Sequence, residues 1–248
     1  MTVMGVTVVT GGTRGIGAAI SRRVASDGEH VAAIYHADEA AAQQFATEAK
    51  ADGLDISVHR AELADVAAGT NVMAEIAGSF GPVRHLVNNA GVLLEAKVTD
   101  TTVDLWNTVL DVNCRAAFFL AQAAWPAMVD AGYGRIVNVG SVTGTSGNAK
   151  EAAYGASKAA LIGLTRSLAR AGARKGITVN CVVPGVYETD MTAGMTEQDQ
   201  EQIAAMIPAG RRGRPEEMAH LVAALLHADA GYITGAVIMA DGGLGMGA

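Results

Sequence analysis

Residues Thr10–Gly17 read TGGTRGIG. They follow a β-branched run at Val6–Thr10 and open an Ala-containing helical pattern at Ile16–Asp27. Gly11, Gly15 and Gly17 permit a tight turn and let backbone approach a pyrophosphate. The helix that follows offers free N–H groups and the positive end of its dipole. The spacing is G-x-x-x-G-x-G rather than G-x-G-x-x-G. A strand, a glycine loop and a helix in the first βα unit predict a dinucleotide site, with Thr13, Arg14 and Ile16 set among the glycines.

The same alternation continues along the chain. Further strands are expected near Val31–Tyr35, Asp55–His59, His85–Asn88, Arg135–Val139, Thr178–Val183 and Ala236–Met239. Helices are expected near Glu39–Ala51, Ala64–Phe80, Val103–Ala131, Ala153–Lys175 and Pro215–Ala228. Short strands alternating with long helices predict an α/β fold: a doubly wound, Rossmann-type parallel sheet of about seven strands with helices on both faces. No repeat or linker divides the chain, so a single dinucleotide-binding and catalytic domain over 1–248 is expected. The irregular stretch Gly185–Gly213 reads as a substrate lid around 186–213. Its segment MTAGMTEQDQEQ is a candidate short helix.

Composition narrows the function classes. Half of the 248 residues are hydrophobic and only 4% are aromatic. Small aliphatic side chains suit strands buried on both faces. The net charge of -7 comes with no long Lys/Arg run, which argues against nucleic acid. Arg211, Arg212 and Arg214 read as a solvated loop. Cys114 and Cys181 lack metal or redox spacing and read as small hydrophobes, so no metal is expected. The N-terminus lacks a signal-peptide pattern and no apolar run is long enough to cross a bilayer; a soluble cytoplasmic protein is expected.

In a parallel sheet, ligands bind beyond the carboxyl ends of the strands. The end of the second strand reads AIYHADE. Tyr35 and His36 occupy the positions that meet the adenosine ribose, while Asp38 reads as the N-cap of the next helix. Arg14 can pair with a 2′-phosphate, so NADP (NADPH) is favoured over NAD. Further along, AAYGASKAAL places Tyr154 and Lys158 four apart on one helix face. A nearby ammonium lowers a phenol pKa, and a tuned tyrosine is a credible acid–base. Ser141 follows the fifth strand and can hold a substrate oxygen. Asn113 lies inside a long helix, where Asn is an indifferent helix former and can divert backbone hydrogen bonding, which suits a water site. Each has a plain alternative: a packed ring, a solvated lysine, a turn serine.

TGGTRGIG, NNAG (Asn88–Gly91), Asn113, Ser141, Tyr154-x-x-x-Lys158 and the Pro184-Gly185 turn occur in one order across nearly the whole chain. In these the chain resembles single-domain short-chain dehydrogenase/reductases. GNAKEAAYGASK, GRPEEMAHLVAALL, YITG and DGGLGM are similar to those of β-ketoacyl-[acyl-carrier-protein] and acetoacetyl-CoA reductases. The resemblance implies hydride transfer to a ketone, a 3-oxoacyl thioester on carrier protein or CoA. Tyr154 would donate the proton and Ser141 would hold the carbonyl oxygen. Lys158 would bind the nicotinamide ribose and lower the phenol pKa, and Asn113 would support a relay water. It also implies cofactor contacts at Asn89, Ala90, Gly91, Glu62, Leu63, Pro184, Gly185 and Thr189, and a homotetramer. Carrier-protein reductases tend to carry a basic residue where this chain has Gly132; Lys175 lies at a second docking position. Leu93, Leu94, Tyr187 and Met191 are candidates for an apolar pocket wall, with core packing as the equal alternative. Oxidation of a secondary alcohol (a sugar, polyol or steroid) and a non-catalytic dinucleotide sensor remain as alternatives.

Overall fold

The computed structural model describes residues 5–189, 194 and 196–246. Seven parallel strands form one sheet: β1 (Val6–Thr10), β2 (His30–Tyr35), β3 (Ile56–Arg60), β4 (Val83–Asn88), β5 (Gly134–Val139), β6 (Ile177–Pro184) and β7 (Val237–Ala240). Their order is β3-β2-β1-β4-β5-β6-β7. β1 pairs with β2 on one side and β4 on the other, so the winding reverses there. That reversal opens a crevice above the carboxyl ends of β1 and β4.

Between the strands run α1 (Gly15–Ala25), α2 (Glu39–Ala51), α3 (Val66–Phe80), α4 (Val103–Leu110), α5 (Ala116–Asp130), α6 (Thr143–Ser146), α7 (Ala152–Gly172), α8 (Glu197–Met206) and α9 (Pro215–Leu226). Short polar side chains start several of them. Asp38 accepts from Ala41 N at 3.0 Å, Asp65 from Ala67 N at 2.8 Å and Thr102 from Leu105 N at 3.1 Å. Asp38 is therefore the helix cap that the sequence indicates. The core lies in two layers. Val6, Val8, Ile34 and Leu86 face Ile76, Leu120 and Met128 of α3 and α5. Val9, Val31, Val87 and Val137 face Ile20, Val24, Met218 and Val222 of α1 and α9. Each central strand alternates between the layers, which is why its apolar run is continuous.

Three expectations are corrected. The helix expected over Val103–Ala131 is α4, then a π-helical turn at Asp111–Arg115, then α5; the Ala116 N–H bonds Asp111 O, one residue beyond the α pattern. The long helix after Ala153 ends at Gly172, and Ala173–Lys175 tighten into a 3₁₀ turn. β3 closes at Arg60 rather than His59. The lid segment holds α8, capped by Thr196 and Asp199. Among the described residues no helix is long and apolar enough to cross a membrane.

A polar cluster ties the opposite end of the sheet. The Thr7 hydroxyl donates to Glu29 Oε2 at 2.5 Å. His85 Nδ1 lies 2.8 Å from the same oxygen, and its Nε2 is 2.9 Å from the Tyr133 hydroxyl. Burial alone would push the Glu29 carboxyl up; the hydrogen bond and charge of His85, then the Thr7 hydroxyl, outweigh it and hold the carboxyl below its ordinary value. A carboxyl lowered on folding stabilises the fold above its unfolded value, and that contribution is lost as pH falls through the folded value. Glu29→Gln should cost roughly 1 kcal/mol at neutral pH, or about 2–4 °C in melting temperature. Its melting curve should also depend less on pH across the carboxylate range. Calorimetry of both proteins tests this, and parallel pH dependences would contradict it.

Candidate active site

The glycine loop is held open by its own backbone and by β4. Gly11 and Gly15 take φ of +61° and +51°, the left-handed region that a side chain disfavours. A Cβ on Gly17 would stand 2.0 Å from Gly11 O, so only glycine fits where α1 begins. The Thr10 hydroxyl accepts from Asn89 N at 3.0 Å and Ala90 N at 2.9 Å, and it donates to Val87 O at 3.3 Å. The Asn89 amide reaches back to Thr10 O at 3.0 Å and Gly11 O at 3.2 Å. Asn89 therefore acts on the loop through its side chain. Thr13 is buried, whereas Arg14 caps α1 with extended backbone and projects into solvent. The result is a cradle that a phosphate group fits: bare backbone, no filling Cβ, a helix N-terminus beneath.

Beyond β5 the chain turns through Ser141 into the single turn α6. This turn lies so close to α7 that a Cβ on Gly144 would be 2.8 Å from Lys158 C and Ala159 N. Ser141 Oγ accepts from Thr143 N at 3.2 Å and stands near enough to the Tyr154 phenol to act on its acidity. Lys158 is 3% exposed, and its Nζ donates to Val139 O at 2.8 Å. The same Nζ stands 5.6 Å from the centre of the Tyr154 ring. Burial pushes the Lys158 ammonium down to about 8. Burial also raises the Tyr154 phenol above its ordinary value, against the lowering effect of Ser141 and with Glu151 adding to the rise.

That last direction corrects the expected depression of the phenol by Lys158. The ammonium lies over the ring and bonds a carbonyl of β5, so in the protein alone burial decides the sign. Asn113 is likewise not an open water ligand through its side chain. Its Oδ1 accepts from Val92 N at 2.8 Å, and its Nδ2 donates to Val92 O and Ser157 Oγ, each at 3.0 Å. Asn113 sits in the π turn, fixing the strand-end segment Gly91–Val92 against α7. A Cβ on Gly91 would lie 3.3 Å from both Asn113 Oδ1 and Lys158 Nζ, so this glycine leaves room for the pair.

A family profile described as "Enoyl-(Acyl carrier protein) reductase" matches residues 11–245. The acetoacetyl-CoA reductase of Shinella zoogloeoides is 40% identical over 239 residues, 96% of this chain and 97% of that protein. The 3-oxoacyl-[acyl-carrier-protein] reductase of Escherichia coli (strain K12) is 39% identical over 241 residues, 97% of each. Among solved structures, a Serratia marcescens short-chain dehydrogenase/reductase double mutant matches with TM-score 0.90 and 39% identity over 97% of each chain. A blue fluorescent protein from a metagenomic library, solved in complex with NADPH, matches with TM-score 0.90 and 39% identity over 96% of this chain and 97% of that one. The chain belongs to the short-chain dehydrogenase/reductase family. It is an oxidoreductase of the CH–OH/C=O type.

The rest of this short-chain dehydrogenase/reductase site sorts by place. Pro184 and Gly185 end β6 beside Asp241, and the Thr189 side chain lies over the glycine loop, 3.3 Å from where a Gly15 Cβ would stand. At the adenosine corner, His36 Nε2 meets Glu62 Oε2 at 2.6 Å, and Glu62 Oε1 accepts from Ala64 N at 3.0 Å. Leu63 is buried in the core layer with Ala61, Val72 and Leu120. Tyr187 is not a pocket wall. It is buried, its hydroxyl donates to Ala240 O at 2.8 Å, and Gly213 packs on its ring. Leu93 and Leu94 are more open, and Met191 lies outside the described residues. Arg211 and Arg214 both pair with Glu217, so that cluster braces the end of the lid. Both cysteines are free thiols: Cys181 is fully buried, Cys114 only partly. Sequence reading overlooked Thr10 as the clasp of the loop, although it stands inside the quoted motif. It also overlooked Ser157, which had no signal, and Arg60.

A lysine whose pKa falls on folding weakens the fold while it stays charged, and the penalty fades as pH rises from the folded value toward the unfolded one. Lys158→Met removes that penalty, about 3 kcal/mol, and forfeits the Val139 bond, about 1 kcal/mol. The variant should melt several degrees higher at neutral pH and lose turnover. A lower melting temperature would contradict the burial argument.

Proposed function

We propose that this enzyme reduces the ketone of a 3-oxoacyl thioester with NADPH. The observation that carries the reading is the triplet at the end of β5: the Tyr154 phenol, the Ser141 hydroxyl beside it, and Lys158 buried beneath with its Nζ on Val139 O. The Tyr154 phenol can serve as the general acid that ketone reduction requires. A bound dihydronicotinamide supplies the hydride. Ser141 Oγ holds the carbonyl oxygen and Tyr154 donates its proton to that oxygen as negative charge develops. Lys158 holds the nicotinamide ribose. Asn113 fixes Gly91–Val92 and so the floor of the cleft. Gly11, Gly15 and Gly17 cradle the pyrophosphate, Arg14 and His36 face the 2′-phosphate corner, and Asn89, Ala90, Leu63, Pro184, Gly185 and Thr189 line the cofactor's course.

CoA is the better-supported thioester carrier than acyl carrier protein. The docking position Gly132 takes φ of +60°, where a basic side chain would strain the turn, and Asp130 ends α5 just before it. Acetoacetyl-CoA reductases stand among the relatives at 40% identity. Residues 1–248 act as one catalytic domain with the lid over 186–213, in the cytoplasm. A homotetramer fits the exposed Val103, Trp106 and Phe118 on α4 and α5, apolar side chains that a second copy would cover.

An NADPH-oxidation panel tests the reading. Acetoacetyl-CoA should turn over faster than a carrier-bound 3-oxoacyl thioester or a bulky cyclic ketone. Tyr154→Phe should lower kcat by about a thousandfold or more while NADPH still binds. Turnover of the variant near the native rate would overturn the role of Tyr154. Sedimentation at micromolar concentration should show the tetramer, and a monomer would refute it.

A further inference from the structure

We infer that Arg60 is a cofactor-specificity residue, an arm that grips the 2′-phosphate; this rests on the NADPH reading. β2 and β3 end side by side, with Tyr35 opposite Arg60 in the parallel register. In a doubly wound sheet the adenosine ribose lies at the end of the second strand, so Arg60 stands at the same corner as His36 and Arg14.

The three basic side chains differ in how they are held. Arg14 NH1 is 3.7 Å from Asp38 Oδ2, a loose and exposed pair. His36 is engaged by Glu62 at 2.6 Å. Arg60 has no carboxylate within 4.0 Å among the described residues. Its Nε donates to His36 O at 3.1 Å, and the side chain is exposed. That bond pins the guanidinium over the β2 terminus and leaves its two terminal nitrogens to face a ligand. A planar fork with two parallel donors matches a phosphate. Receiving a dianion at Arg14 or His36 means competing with a carboxylate already in place. At Arg60 it does not. With Asp38 and Glu62 nearby, an unpaired cation is also what makes a doubly negative group welcome at this corner.

The test is binding of 2′-AMP against 5′-AMP, measured by calorimetry on the full chain, with the NADPH-to-NADH ratio of kcat/KM as the kinetic readout. The native protein should favour 2′-AMP and NADPH. Arg60→Ala should weaken 2′-AMP by about tenfold and lower the NADPH-to-NADH ratio similarly, with 5′-AMP affinity almost unmoved. Arg60→Lys should recover part of the loss. If the native protein does not discriminate, the NADPH reading itself fails. If it discriminates and Arg60→Ala discriminates equally, the NADPH reading stands and the Arg60 assignment is wrong. An equal loss of both nucleotides in Arg60→Ala would mean that the residue only ties β3 to β2, and would also overturn the assignment.

Discussion

The burial of Lys158 governs the architecture of this site. An ammonium at 3% exposure needs an acceptor, and β5 provides it with the Val139 carbonyl. Everything around that bond is small or neutral. Gly91 leaves space above the Nζ, Gly144 lets α6 press on α7, and Cys181 fills the strand beneath with a thiol pushed up to about 11 by burial. The buried face of α7 keeps small side chains next to the lysine, with Ala153 and Ser157 on the turn before it. The enzyme thus holds a charge where the solvent would not leave it, and the fold tolerates the cost because the position is chemically useful.

The second organising element is the reversal between β1 and β4. One hydroxyl, that of Thr10, receives two N–H groups from the chain beyond β4 and so locks together the two segments that diverge there. Asn89 repeats the link in the opposite direction. The glycine loop is therefore shaped by its neighbour across the crevice as well as by its own residues. This explains how a loop of such conformational freedom can present a fixed phosphate cradle.

Much of this was legible in the sequence, and what was not had a common cause. β-Branched runs placed the strands, and the glycine loop with the i, i+4 Tyr154–Lys158 pair placed the crevice and its chemistry. The π turn was hidden because DVNCR has no residue that breaks a helix. Its register shift is stabilised from outside by Asn113 bonding Val92. The direction of the Tyr154 shift was hidden because it depends on how much of the ring is covered, and that covering comes from distant segments. The choice between pocket wall and packing at Tyr187 stayed open for the same reason: its place in the core is set by Gly213, distant in the chain. Pairwise spacing reports which side chains can meet. It does not report which of them water still reaches.

The segment 186–213 has its two ends clasped together. Glu188 N bonds Gly213 O at 2.9 Å, Gly213 N bonds Val186 O at 2.9 Å, and Tyr187 anchors the clasp to β7 through Ala240 O. The returning chain is tied again before it reaches that clasp: Ala209 N bonds Gly242 O at 3.0 Å, and Ile207 is buried. The segment is thus moored at its base and along its return, so a side chain exchanged on it acts on the cleft from a fixed frame.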